Sequence, residues 1–333
     1  MKKNKKFFLR IIAVLCVMML FAGVLFLIHH FEDQKYRNVA LNDPYADDDG
    51  VSRIFYKGAA YVPKEGIEAV LLIGIDDRGV QEITENNTNH SQADFLMLIL
   101  INHNEQTYES IHINRDTMTE IPVIGVTGEY AGTKTAQLAL AHTYGSGGKD
   151  SCQYTVDAVS QMMYGLAIDH YAAVTMDSIG IINDAIGGTE VLIEDDMTSL
   201  DPDMKAGATL KLNAEQAEYF VRNRQNLDDS TNISRMKRQR TFLSAWQEKA
   251  TNLIQTDAEF ALNLVLDLSD YLTTDMTVNE LSNFASQLSE YRNNGIEDIE
   301  GMAVKGNTYM EFYIDSDDLK QKLISFCYTE AEP

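Results

Sequence analysis

Cysteine is scarce in this 333-residue chain, and so is every pattern that would turn cysteine or histidine into a metal centre. The three cysteines are Cys16, Cys152 and Cys327. No CxxC, HExxH or cysteine–histidine cluster occurs, so zinc has no support. Cys16 falls in an apolar N-terminal run, which leaves Cys152 and Cys327 able to form at most one disulfide, not a disulfide framework. The seven histidines are scattered and read as surface or core fillers. Dinucleotide fingerprints and internal repeats are absent too. Positive charge is the other shortage: 27 Lys and Arg face 50 Asp and Glu, a formal charge of −23. The first 30 residues hold five of the basic residues and none of the acidic ones, so the rest of the chain stands at −28. Such a body is repelled by nucleic acid and by anionic lipid.

What is present begins with a basic "MKKNKK" followed by "FFLRIIAVLCVMMLFAGVLFLI". Residues 11–28 carry no charge, enough to cross hydrocarbon as a transmembrane helix. The lysines place residues 1–10 in the cytoplasm. A cleaved signal peptide is the competing reading, but no small-x-small site precedes "HHFEDQ". The expectation is a single-pass cell-membrane protein with an extracytoplasmic body. Residues 29–65 read as a juxtamembrane stalk, and 66–330 as one domain.

In that domain "AVLLIGID" (69–76) and "FLMLILIN" (95–102) are apolar throughout, the mark of central strands covered on both faces. "YESIHIN" (108–114) alternates. "TAQLALAHTYG", "CQYTVDAVSQMMYG", "DSIGIINDAIGG" (capped by Asp177), "NAEQAEYFVRNR" (an Asn213–Gln216 capping box) and "SRMKRQRTFLSAWQEKA" (capped by Ser234) read as helices. Three more helices and two strands follow. The expected fold is α/β: an α/β/α sandwich with a mixed central sheet.

"RNRQNLDDSTNISRMKRQR" (222–240) is out of character, with six basic residues against two acidic ones. Arg235, Arg238 and Gln239 share one helical face. They lie near a helix start, where the macrodipole already favours an anion. Arg222 and Arg224 close the preceding helix. Two such groups across one gap would grip a phosphate through bidentate forks, or else pair with the many surface acids. Asp76 ends the first apolar strand and Asp94 opens the second. If those strands are antiparallel, both acids reach one sheet edge, where they would hold magnesium or simply solvate strand ends. If the third strand is parallel to the first, Arg115 reaches the same edge, with Asp116 as a structural acid that orients an arginine or caps a turn. Met-rich segments ("QMMYG", "FLMLILI") are either core or the wall of a lipid channel.

The set "LLIGIDDRG", "ADFLMLILIN", "SIHINRDTMTEIP", "KTAQLALAHTYG", "LAIDHYAAVTM", "IINDAIGGTEV" and "LNAEQAEYFVRNR…NISRMKRQRTFLSAW" resembles the LytR–CpsA–Psr family over residues 66–250. The resemblance implies a membrane-anchored transferase that moves a glycopolymer from a polyprenyl-pyrophosphate carrier onto peptidoglycan, leaving a phosphodiester. Teichoic acid, capsule and other wall glycans all fit that handle. By position, Asp76 and Asp94 match the family's magnesium carboxylates (manganese being an alternative ion). Arg115 matches the arginine near the scissile phosphate, and Arg222, Arg224, Arg235 and Gln239 match the pyrophosphate clamp. Arg78 and Arg238 join the substrate-binding set. The chain departs from the family at Gln92-Ala93-Asp94-Phe95, where Arg-Ser-Asp-Thr is frequent, and at Asn232, where Asp is frequent. A pyrophosphatase on the same lipid-linked substrate and a non-catalytic envelope lipid- or anion-binding regulator are the alternative functions.

Overall fold

An apolar run buries both of its faces only inside a layered body, because alternate side chains of a strand point to opposite sides. The computed structural model describes residues 53–79, 88–125, 128–223 and 232–331 and has such layers. In chain order come β1 (Ile54–Tyr56), β2 (Ala59–Pro63), β3 (Ile67–Ile75), β4 (Ala93–Asn102), β5 (Thr107–Ile113), β6 (Met118–Ile124) and β7 (Tyr130–Gln137). A 3-10 turn (Leu138–Thr143) leads to α1 (Gly148–Met162), β8 (His170–Val174), α2 (Ser178–Ala185), β9 (Glu190–Leu192), β10 (Thr209–Lys211), α3 (Ala214–Arg222) and α4 (Asn232–Thr256). Then follow α5 (Phe260–Asp267), β11 (Leu272–Thr274), α6 (Val278–Glu290), β12 (Arg292–Asp298), β13 (Gly301–Lys305), β14 (Met310–Ile314), α7 (Ser316–Cys327) and β15 (Tyr328–Glu330).

The central sheet has the order β11-β8-β3-β4-β5-β12. β4 is antiparallel to both β3 and β5, whereas β8 joins β3, and β12 joins β5, in parallel. The sheet is therefore mixed, as expected. Alternation along the strands sorts the core into two layers. Leu71, Ile73, Leu96, Leu98, Ile111 and Ile113 pack with Cys152, Val156 and Val159 of α1 and Leu319 and Leu323 of α7. Val70, Ile99, Ile101 and Tyr108 face the other way, toward Leu281, Phe284 and Leu288 of α6. A third cluster ties β9, α3 and α4 together through Val191, Ala217, Phe220, Val221 and Phe242.

Several local expectations are corrected. Residues 54–63, assigned to the stalk, form β1 and β2, and β2 pairs with β15 at the far end of the chain. "TAQLALAHTYG" is not one helix: its first residues end β7, where β-branched Thr133 and Thr135 pair with β6, and only the 3-10 turn follows. Asp177 precedes α2 but makes no cap hydrogen bond, since its carboxylate is engaged elsewhere. The capping box at Asn213–Gln216 is present. α4 already includes Asn232, so Ser234 lies inside the helix rather than capping it. Cys152 and Cys327 are both buried and both free. Burial raises the Cys152 thiol to about 12 and the Cys327 thiol further still. The stretch 11–28 and Arg224 lie outside the described residues. Among the described residues no helix is long and apolar enough to cross a membrane.

Candidate active site

The ends of β3 and β5 and the start of β4 share one edge of the sheet, because Ile73 is opposite Leu96 and Leu96 opposite Ile113. A bulge interrupts the register at that edge: Gly74 pairs with Phe95 but Ile75 with Ala93, so Asp94 has no opposite residue. In a regular strand Asp94 and Phe95 would point to opposite faces. The extra residue re-aims one of them, and both line a single pocket. The close approach demands glycine, since a Cβ on Gly74 would lie 2.9 Å from the Phe95 Cβ.

Asp76 and Asp94 are linked through Gln92. The Gln92 N–H donates to Asp76 Oδ1, and the Asp76 N–H donates to the Gln92 carbonyl at 3.0 Å. Arg115 donates from Nη2 to Gln92 Oε1 at 2.6 Å and pairs with Asp94 through Nη1. Arg115 Nε faces Asp116 Oδ1 at 3.4 Å, an ion pair rather than a hydrogen bond, and Gln137 donates to that same oxygen at 2.9 Å, so of the two roles expected of Asp116 the contact favours the one beside the arginine. Arg235 arrives from α4, donating to Asp94 Oδ2 at 3.0 Å and to the Asp94 carbonyl at 3.2 Å. Asn232, at the start of α4, donates to Asn114 Oδ1 at 2.9 Å and pins the helix against the turn that carries Arg115.

Arg78 and Arg222 converge on a different acid, Glu218 of α3. Arg78 also pairs with Asp177 Oδ1 at 2.9 Å, and these carboxylates, Glu218 first, raise its guanidinium above the ordinary arginine value. Gln239 donates to the Val221 carbonyl at 3.2 Å and lines the pocket. Arg238 does not join it. Its side chain turns onto the C-terminal end of α3, donating to the carbonyls of Phe220 (2.9 Å) and Asn223 and pairing with Asp195 at 3.1 Å. Those carbonyls have no partner within the helix, so Arg238 holds the helix end that presents Arg222.

The pocket spans about 780 Å³ of empty space including its open mouth. Asp94, Arg222, Arg235 and Gln239 give it a polar side. The remaining wall is apolar: Ile75, Phe95 and Val174 from the sheet, Ile179 and Ile182 from α2, Phe242 and Leu243 from α4. Of the Met-rich segments, "QMMYG" is core, with Met162 and Met163 in the layer under the sheet. "FLMLILI" contributes only Phe95 to the pocket. His112 lies behind Phe95, ring centroids 4.9 Å apart. Burial first, then Arg240 and Arg235, press its value down to about 3, so it is neutral.

Among the described residues no group of three His, Cys, Asp or Glu could hold a metal. Asp76 and Asp94 at one sheet end are the donor type of a hard cation that takes one or two carboxylates and fills its shell with water and phosphate oxygens, although both Asp94 oxygens already face arginines. Asp94 would then share its oxygens with Arg115 and Arg235. Glu218, Asp177 and Gln92 are the participants that sequence reasoning did not assign. The (i, i+4) spacing of Glu218 and Arg222 was the available signal.

The LytR_cpsA_psr family model matches residues 35–324. A polyisoprenyl-teichoic acid–peptidoglycan teichoic acid transferase TagU of Bacillus cereus is 25% identical over 273 residues, 81% of each chain. The TagU of Bacillus licheniformis is 26% identical over 252 residues, 75% of this chain and 74% of its own. Among solved structures, TagT bound to LI-WTA superposes with a TM-score of 0.59 at 18% identity, covering 79% of this chain and 90% of that one. Bacillus subtilis TagV gives 0.58 at 20%, covering 79% and 98%. At those identities the structural likeness is one of fold alone, whereas the family match spans most of the sequence. The chain belongs to the LytR_cpsA_psr family.

Proposed function

We propose that this protein is a phosphotransferase that moves a glycopolymer from a polyprenyl-pyrophosphate carrier onto peptidoglycan and leaves a phosphodiester link. The observation that carries the proposal is the two-part pocket: an apolar wall of the kind that takes a hydrocarbon chain, meeting arginines at its polar side. The named activity of the TagU relatives points the same way.

The chain's own residues do three things in this reading. Ile75, Phe95, Ile179 and Phe242 hold the lipid. Arg235 and Arg115, already locked on Asp94, present guanidinium forks to the diphosphate, and Arg222 and Gln239 meet it from the α3 and α4 side of the pocket. A hydroxyl of the wall glycan attacks the phosphorus that bears the glycopolymer. A new P–O bond forms, the bond to the bridging oxygen breaks, its electron pair leaves with polyprenyl phosphate, and the hydroxyl proton passes to solvent. Charge grows on the leaving oxygens, where fixed cations act without reorganising. Asp76 and Asp94 would hold magnesium, or manganese in its place, which supplies neutralisation of pyrophosphate oxygens when bound. Residues 11–28 anchor the protein in the cell membrane, with 1–10 cytoplasmic and the catalytic domain outside.

The test is incubation of the full chain in detergent with a lipid-linked donor, magnesium and wall oligomers, reading the product by mass. A phosphodiester-linked adduct is expected, with loss of turnover on chelation and recovery with added magnesium. Free glycan phosphate as the sole product would instead make the protein a pyrophosphatase. No turnover despite donor binding would make it an envelope lipid-binding protein.

A further inference from the structure

Arg78 follows β3 and Arg222 ends α3, yet both guanidiniums donate to one atom, Glu218 Oε1. Guanidiniums repel when brought to one point, so an anion must occupy the point where they meet. Arg222 is also a wall residue of the pocket. Glu218 and Arg78 do not line the pocket themselves, and Arg222 is the side chain that ties the shared oxygen to its wall. Arg78 is secured from behind as well: Asp177 Oδ1 accepts from it at 2.9 Å, while Asp177 Oδ2 accepts the Gly79 N–H at 2.8 Å. If Glu218 lets go, Arg78 stays in place.

We propose that Glu218 is a resident anion of the diphosphate site: it keeps Arg78 and Arg222 converged and surrenders them to the phosphate oxygens, so the donor binds in competition with a carboxylate. The inference rests on the phosphotransferase reading and adds a positioning residue to it. A carboxylate offers one negative charge. A diphosphate offers more charge and more oxygens, and it wins the exchange where singly charged anions do not. Glu218 thereby sets both the affinity of the site and its preference for diphosphates.

Replacing Glu218 with Gln keeps the shape and removes the competitor. Binding of inorganic pyrophosphate, followed by calorimetry with magnesium present, is expected to tighten about threefold to tenfold, the scale of two part-exposed ion pairs. The salt dependence should steepen, because two more cations become available to the ligand. In an Arg78→Met background the gain from Glu218→Gln should shrink, since competitor and competed-for group are then no longer both present. A residue that merely braces α3 would produce weaker binding and no such coupling. If Glu218→Gln does not fold, Glu218→Asp, one methylene shorter, should give a smaller gain of the same sign. Pyrophosphate binding no tighter than wild type in a folded variant overturns the inference while leaving the phosphotransferase reading intact. A wild type that binds no pyrophosphate at all overturns both.

Discussion

Arg235 is the residue whose loss the geometry makes most informative. Its side chain is only 5% exposed, and it spends two donors on Asp94, one on the carboxylate and one on the carbonyl. Replacement by Met keeps the volume and removes the charge. Breaking a fully buried ion pair costs roughly 3–5 kcal/mol. Here Asp94 is 24% exposed and keeps Arg115, so the cost falls to about 1–3 kcal/mol. For a body of this size that lowers Tm by roughly 2–5 °C, which circular dichroism can follow. The functional loss is expected to be larger. Removing one fixed donor aimed at developing charge costs about 10²–10³ in turnover, measured as adduct formation by mass well below the melting range. Arg235→Lys restores the charge but not the planar fork, so it should recover part of the loss and no more. Turnover within tenfold of wild type in folded Arg235→Met would refute the placement of Arg235 on the reacting diphosphate.

Arg238→Ala should act mainly on stability: it strips donors from the end of α3 and leaves Asp195 unpaired, at about 2–4 kcal/mol, visible in denaturant midpoints. His112 should make the protein acid-sensitive. Its folded value of about 3 lies below the ordinary 6.5, so the unfolded chain takes the proton first. Stability is whole above about pH 6.5, falls as pH drops through the window down to about 3, and His112→Gln should abolish a loss on the order of a few kcal/mol by pH 4. Comparing urea midpoints of the two proteins between pH 4 and 7 checks this, and parallel curves would refute it. Cys152 and Cys327 should stay inert to a thiol reagent at pH 8 in the native protein and react on unfolding, because burial raises both thiols. A disulfide found by mass would contradict the structure.

The central sheet was legible because β3 and β4 are apolar on both faces, which only a covered strand tolerates. Their antiparallel pairing followed as a conditional and brought Asp76, Asp94 and Arg115 to one edge. The bulge was not legible. Nothing in "QADFL" marks Asp94 as the residue that the strand register skips, since the register depends on how Gly74 meets Phe95 across the strands. β12, "RNNGIED", was missed because an exposed edge strand buries little and so carries no apolar pattern. Arg238 was misplaced for a geometric reason. Residues three apart on a helix differ by about 60° around its axis, enough to send Arg235 to Asp94 and Arg238 to the end of α3. Glu218 could be matched to Arg222 by spacing, but its second partner lies 140 positions away.

The arginines of this acidic body are graded rather than equivalent. Side-chain exposure rises from 5% at Arg235 and 11% at Arg115 to 38% at Arg222 and 58% at Arg78. The first pair is fixed by Asp94 within the sheet edge, and the second by Glu218 at the surface. Buried guanidiniums cannot reorganise cheaply, which suits the stabilisation of charge at the moment of reaction. Exposed ones change partners at little cost, which suits capture and release of a substrate whose lipid product must leave. The −28 balance outside the N-terminal run then has a consequence for this division. In a body whose net charge repels anions, Arg78 and Arg222 are cations already converged beside an acid that an anionic donor can replace. The surrounding repulsion grows with the charge of the ligand, so the converged arginines and the apolar wall have to outweigh it, and a ligand that engages only one of the two is held less well.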